Sequence, residues 1–120
     1  MSALGALDTA FWDLRGKAED QPLWKLLGGR QAACPAYGSA LLWNTPEALA
    51  DETARLIDRG FRRVKMRLGR NREDDIAAVQ AVRGVLGNTG DLMVDGSMRY
   101  DLETAREFAA FLAEQQRLLV

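Results

Sequence analysis

Histidine is absent from this chain of 120 residues, and cysteine occurs once, at Cys34. Without histidine, no imidazole ligand, catalytic triad or histidine base can come from these residues. A single cysteine excludes an intramolecular disulfide and fits a reducing cytoplasm. Cys34 stands next to Pro35 with no evident basic partner, so it reads as a packed small residue rather than a nucleophile. Charge of one sign is lacking too: 16 basic residues face 17 acidic ones, for a net charge of −1. That balance gives no electrostatic reason to expect nucleic acid or an anionic membrane surface as a partner. No apolar run approaches the roughly 20 residues a membrane span needs. Asp8 and Asp13 interrupt the first apolar stretch, so it lacks a signal-peptide pattern.

What remains is a globular composition, 48% hydrophobic and 28% charged, and a length that allows at most one domain. Leu4, Leu7, Phe11 and Leu14 recur at helical spacing, with Gly16 as the expected stop. Pro22 opens a short helix over Leu23 to Leu27, closed by Gly28 and Gly29. Trp12 and Trp24 fall in this helical stretch and are expected in a core. Ala33 to Ser39 reads as a strand. Thr45-Pro46 forms a cap and first turn, and Leu49, Thr53, Leu56 and Ile57 give the helix behind it one inward face until Gly60. Phe61 to Arg67 is the next strand. Asn71 caps a helix with Ile76, Val79, Val82 and Leu86 in its inner stripe. Asp91 to Asp95 is a strand. Asp101 caps a last helix with Leu102, Ala105, Phe108, Ala109 and Leu112 on one side, and Leu118-Leu119-Val120 resembles the start of a fourth strand.

Two helices followed by β-α-β-α-β-α-β argue a parallel sheet with right-handed crossovers. An open doubly wound sheet and a slice of a (β/α)₈ barrel both satisfy that order. Neither G-x-G-x-x-G nor G-x-x-x-x-G-K-[ST] follows any strand, which counts against an open nucleotide-binding sheet. A full barrel needs about 250 residues, so this chain cannot complete one.

Within either architecture the polar ends of two successive strands stand out. Lys65-Met66-Arg67 closes one and Asp95-Gly96-Ser97 closes the next. Carboxyl ends of parallel strands are where ligands and metals are held. Lys65 and Arg67 alternate along a strand and so share a face. Read alone, Lys65 and Arg67 are more simply a solvated rim of the strand end, and Asp95 is equally a ligand position or a loop aspartate. Tyr37, Gly38 and Ser39 end the expected first strand and would face the same mouth. Arg99, Tyr100 and Trp43 lie in loops that could line it.

Three stretches resemble the enolase superfamily, specifically the mandelate racemase/muconate lactonizing enzyme family. Ala6-Leu7-Asp8-Thr9-Ala10-Phe11-Trp12-Asp13-Leu14-Arg15-Gly16-Lys17-Ala18, with Pro22 to Gly29 after it, resembles the helical stretch before the family's barrel. Gly60-Phe61-Arg62-Arg63-Val64-Lys65-Met66-Arg67-Leu68-Gly69 is similar to the second barrel strand with its K-x-K signature. Leu92-Met93-Val94-Asp95-Gly96-Ser97 resembles the third strand, which carries the first metal-ligating carboxylate.

The resemblance implies a partial (β/α)₈ TIM-type barrel, with strands 1–3 and the start of a fourth over residues 31–120. Residues 1–30 would be helices from the end of the N-terminal capping region. It implies a fragment whose remaining strands, and two further acidic ligands on strands four and five, lie outside the chain. It also implies an intact enzyme that uses Mg²⁺ to remove the proton α to a substrate carboxylate. Asp95 would be a metal ligand, Lys65 and Arg67 catalytic, and Ser97, Tyr37 and Ser39 substrate-binding. The second lysine of K-x-K is often the base, and here Arg67 replaces it. Arginine is effectively never deprotonated, but it can hold a carboxylate through two parallel hydrogen bonds. A dehydratase of sugar acids is therefore the first expectation, and a racemase, epimerase or cycloisomerase the alternative. The partner expected is a small carboxylate, with a homo-oligomer possible for the intact enzyme. The 120 residues alone are expected to be catalytically inert.

Overall fold

The structure is a computed structural model that describes residues 2–117. It divides into two compact units, Met1–Pro35 and Ala36–Val120. In the first unit, α1 spans Ser2–Ala18 and α2 spans Leu23–Leu26. The helix runs through Gly16 instead of stopping there. A methyl group at Gly16 would lie 3.0 Å from the Gln21 carbonyl oxygen and 3.2 Å from the Leu23 side chain. The glycine serves a close return of the chain, and the helix ends later. Leu4, Leu7, Phe11 and Leu14 form the expected stripe, but it is exposed. Trp12 and Trp24 are half-buried and lie under cations, Arg15 and Lys25 respectively, so neither is a core residue.

The second unit is a three-stranded parallel sheet with helices in its crossovers. β1 covers Gly38–Leu41, α3 Pro46–Asp58, β2 Arg63–Arg67, α4 Arg72–Leu86, β3 Asp91–Asp95 and α5 Leu102–Arg117. The strand order is β1-β2-β3. Each helix begins where its sequence signal lies. The Thr45 hydroxyl accepts from the Ala48 amide, the Asn71 side chain from the Asp74 amide, and Asp101 from the Thr104 amide. Each such cap contributes about 1 kcal/mol.

Alternation along β2 divides its side chains. Val64, Met66 and Leu68, at the strand and just after it, are at most 1% exposed and join Leu41, Leu49, Leu56, Val79, Val82, Leu86 and Phe108 in one core. Arg63, Lys65 and Arg67 take the opposite face. The parallel register sets Lys65 beside Met93 and Arg67 beside Asp95. On the other side Ser39 is paired with Lys65, and the ladder slips between Ser39 and Leu41.

Three further expectations shift. β1 begins at Gly38 rather than ending near Ser39, because the ladder with β2 starts there. α5 buries Phe108 and half-buries Phe111 and Leu112, while Leu102, Ala105 and Ala109 remain exposed. Its inward face is the aromatic one, with Phe108 stacked on Tyr100 and edge-on to Phe111. Cys34 is exposed, not packed. The expected fourth strand at Leu118-Leu119-Val120 lies outside the described residues.

Candidate active site

Parallel pairing of β2 and β3 brings the two polar strand ends together. Lys65 Nζ donates to Asp95 Oδ2 at 3.3 Å, and Arg67 Nη2 lies 3.8 Å from the same oxygen. The other oxygen, Oδ1, accepts from the Ser97 amide at 2.9 Å, with the Ser97 hydroxyl 3.5 Å away. That bond closes a turn of the kind aspartate side chains make with the backbone two residues on. The turn is tight: Ser97 and Met98 take positive φ angles of 49° and 59°. Such backbone costs of order 1–3 kcal/mol per residue, so it persists only where surrounding contacts hold it. The Ser97 amide and the Lys65 hydrogen bond keep the Asp95 carboxyl below its ordinary range. Burial opposes them, and the nearby charges of Lys65 and Arg67 add smaller effects in the lowering direction.

Tyr37 precedes β1 and is 45% exposed, with the Lys65 ammonium 6.0 Å from its ring centre. Ser39 is exposed and meets Lys65 through strand register. Gly38, expected at the same mouth, faces the other way: a methyl group there would lie 3.0 Å from Leu56. So Lys65, Arg67, Asp95 and Ser97 form one constellation, Tyr37 approaches Lys65, and Ser39 is its neighbour across the ladder.

The loops at these strand ends are tied to one another. Trp43 donates its indole N–H to the Leu68 carbonyl at 3.1 Å, and the Arg99 guanidinium lies 4.4 Å from the Trp43 ring centre. Arg99 also reaches the Gly69 carbonyl at 3.5 Å. Sequence reasoning missed Asp75. It is 2% exposed, and its carboxylate accepts from the Gly69 amide at 2.9 Å, the Arg70 amide at 3.3 Å and the Tyr100 hydroxyl at 2.6 Å. Burial, and then the Asp75 bond, push the Tyr100 hydroxyl well above its ordinary value. A signal for Asp75 was present: it stands four residues before Val79 and seven before Val82, on the buried stripe of its helix. A carboxylate in that phase must be buried and therefore partnered.

Residues 48–120 match the profile described as enolase C-terminal domain-like, and residues 1–28 that of the mandelate racemase/muconate lactonizing enzyme N-terminal domain. The chain belongs to the mandelate racemase/muconate lactonizing enzyme family of the enolase superfamily. It is 39% identical to a 3,6-anhydro-alpha-L-galactonate cycloisomerase of Streptomyces coelicolor, over 93% of this chain and 32% of that protein. It is 33% identical to an arabinonate dehydratase of Saccharolobus solfataricus, over 89% of this chain and 30% of the relative. A solved mandelate racemase/muconate lactonizing enzyme-like protein from Rubrobacter xylanophilus superposes with a TM-score of 0.88 at 32% identity, covering 95% of this chain and 32% of that one. The chain thus spans about a third of the length of the curated relatives it matches.

Within this family Mg²⁺ is the implied metal, and Asp95 fits it as one ligand. Its oxygens are hard donors, its charge is maintained by its neighbours, and its side chain is 34% exposed. Among the described residues no group of three His, Cys, Asp or Glu side chains gathers that could hold a metal ion. Also among these residues, no helix is long and apolar enough to cross a membrane.

Proposed function

We propose that the enzyme containing this segment removes the proton α to the carboxylate of a small substrate, with Mg²⁺ as cofactor, and is a sugar-acid dehydratase. The observation that carries the reading is the shared face of Lys65, Arg67 and Asp95 at the ends of β2 and β3. Mg²⁺, when bound, would stabilise negative charge developing on the substrate carboxylate. Asp95 is the ligand this chain contributes. The Arg67 guanidinium can hold a substrate carboxylate oxygen through its planar donors. An arginine keeps its proton, so Arg67 binds and orients but does not abstract.

Dehydration suits that set. One base takes the α-proton, and the released electron pair forms a double bond to the neighbouring carbon. The carbon–oxygen bond there breaks, and an acid supplies the proton with which the hydroxyl leaves as water. The enol product becomes a 2-oxo-3-deoxy acid. Lys65 or a residue outside these 120 is the base. Racemisation by two opposed bases is disfavoured, since Arg67 replaces one of them. Ser97 and Tyr37, beside Asp95 and Lys65, are the candidates for substrate hydroxyl contacts, with Ser39 next to them.

Cycloisomerisation is the second reading, favoured by the 39% identity to a cycloisomerase. The test is product analysis of the intact enzyme on a panel of sugar acids and anhydro-sugar acids with and without Mg²⁺. Mg²⁺-dependent formation of a 2-oxo-3-deoxy acid from an open-chain sugar acid supports dehydration. Turnover of an anhydro acid alone supports the second reading, and turnover unaffected by chelation refutes the metal reading.

A further inference from the structure

Asp75 is a buried carboxylate that the proposed chemistry does not use. It lies in the first turn of α4, and its three hydrogen-bond partners are neutral: two amides of the loop after β2 and the Tyr100 hydroxyl of the loop after β3. Tyr100 in turn packs on the turn that carries Asp95. A methyl group at Gly96 would sit 2.9 Å from the Tyr100 ring, so the ring lies directly against the residue after Asp95. The same ring stacks on Phe108 with centroids 5.5 Å apart. The turn itself holds two residues at positive φ, a conformation that needs outside support. Gly69, whose amide Asp75 holds, packs on the same turn: a methyl group there would lie 3.0 Å from the Gly96 carbonyl oxygen.

We propose that Asp75 is a positioning residue that acts through Tyr100 and Gly69 to hold the Gly96–Met98 turn, and with it the Asp95 carboxylate, in place. Asp75 makes no hydrogen bond or ion pair with Lys65 or Asp95 and takes no part in proton transfer. Its function is geometric: one carboxylate fixes the two loops that follow the two functional strand ends. The proposal rests on the reading of Asp95 as a metal ligand only for its consequence, not for its test.

The test is hydrogen exchange by mass spectrometry on the full 120-residue chain, comparing the unaltered protein with Tyr100→Phe, Asp75→Asn and the double variant. Tyr100→Phe keeps the ring and its stacking and removes only the hydroxyl, so it reports even where Asp75→Asn fails to fold. Loss of one hydrogen bond to a charged group predicts about tenfold faster exchange. That increase is expected in peptides covering residues 95–100, with peptides covering 63–67 unchanged. The double variant is expected to match Asp75→Asn at residues 95–100. Equal acceleration in both regions would show a general stabilising role and overturn the proposal. Unchanged exchange at residues 95–100 in Tyr100→Phe would overturn it too. Titration of the unaltered chain with MgCl₂ tests the metal reading separately. A weak Mg²⁺ effect on the 95–100 peptides that persists unchanged in Asp95→Asn counts against Asp95 as a ligand and leaves the exchange comparison standing.

Discussion

The Arg99 guanidinium stacks on Trp43 at 4.4 Å, and each of the two side chains also hydrogen-bonds the Leu68–Gly69 backbone between them. Loops after β1, β2 and β3 are thereby joined in one layer. Cation–π attraction at an exposed site contributes about 0.5–1 kcal/mol, and a hydrogen bond about 1 kcal/mol. Arg99→Leu is expected to lower stability by about 1 kcal/mol. Trp43→Phe, which keeps the ring and loses the indole N–H, is expected to cost about the same. Urea unfolding checks both: the midpoint should fall while the slope stays unchanged. The double variant should cost less than the two single costs added, since the residues are in contact.

Acid titration gives a second prediction. The Asp95 carboxyl is held below its ordinary value of 3.8 by the Ser97 amide first and by Lys65 second. Asp101 is held down similarly by the Thr104 amide. A group whose folded pKa is depressed contributes stability that is fully present above the unfolded value and is lost as pH falls through the folded value. Asp95→Asn, which cannot titrate, should therefore melt at a constant interval below the parent from pH 7 to about pH 5. The interval should shrink as the pH falls below about 4, where the unfolded parent begins to take up a proton at this carboxyl, and should level off only at the lower pH where the folded carboxyl is protonated too. Lys65→Met should raise the Asp95 pKa, read directly from its carboxyl carbon by NMR. An unmoved value would remove Lys65 as a cause.

Two glycines predict opposite signs for the same substitution. Gly69 has φ of 99°, and a methyl group there would meet Arg99 at 2.9 Å and the Gly96 carbonyl at 3.0 Å. Gly69→Ala is expected to destabilise by more than about 1 kcal/mol. Gly84 lies within α4, is exposed, and an added methyl group would meet nothing within 4 Å. Gly84→Ala is expected to stabilise by about 0.5–1 kcal/mol, because alanine loses less backbone freedom in a helix. Thermal melts of the two variants at one protein concentration decide both.

Helix starts were the most legible part of this fold. Thr45, Asn71 and Asp101 each cap the helix expected of them, because a cap is a local event written in adjacent residues. The stripe of Val79, Val82 and Leu86 was legible for the same reason, since helical period alone sets it. Strand β1 was not. Ala33 to Tyr37 has a strand-like composition, but a strand exists only where a ladder forms, and β2 pairs from Gly38 onward. Lys65 and Asp95 could be named from their motifs, while their ion pair needed the register of two strands. The α5 face was misread because Leu102 and Ala105 continue the apolar pattern beyond the part of the helix that meets the core. Asp75 was passed over because a run of Glu73, Asp74 and Asp75 at a helix N-terminus is already explained by the helix dipole. The third member has a different fate only because its phase turns it inward.

The isolated chain should behave unlike an intact enzyme. Among the described residues β1 and β3 are the edges of the sheet, each with one side of its backbone unpaired. Such edges are templates for pairing with another chain. Asp95 is one carboxylate facing two cations, and no acidic trio gathers beside it among the described residues. Mg²⁺ keeps its own waters unless several hard oxygens replace them, so one carboxylate flanked by Lys65 and Arg67 competes poorly. Sedimentation of the 120-residue chain is accordingly expected to show concentration-dependent association, and calorimetric titration with MgCl₂ weak binding without a defined stoichiometry. Asp95→Asn should abolish what binding there is, and no sugar acid should be consumed. A monomer that takes up one Mg²⁺ tightly would instead mean that these residues build a complete site by themselves. The assignment of Asp95 as one ligand among several would then have to be abandoned.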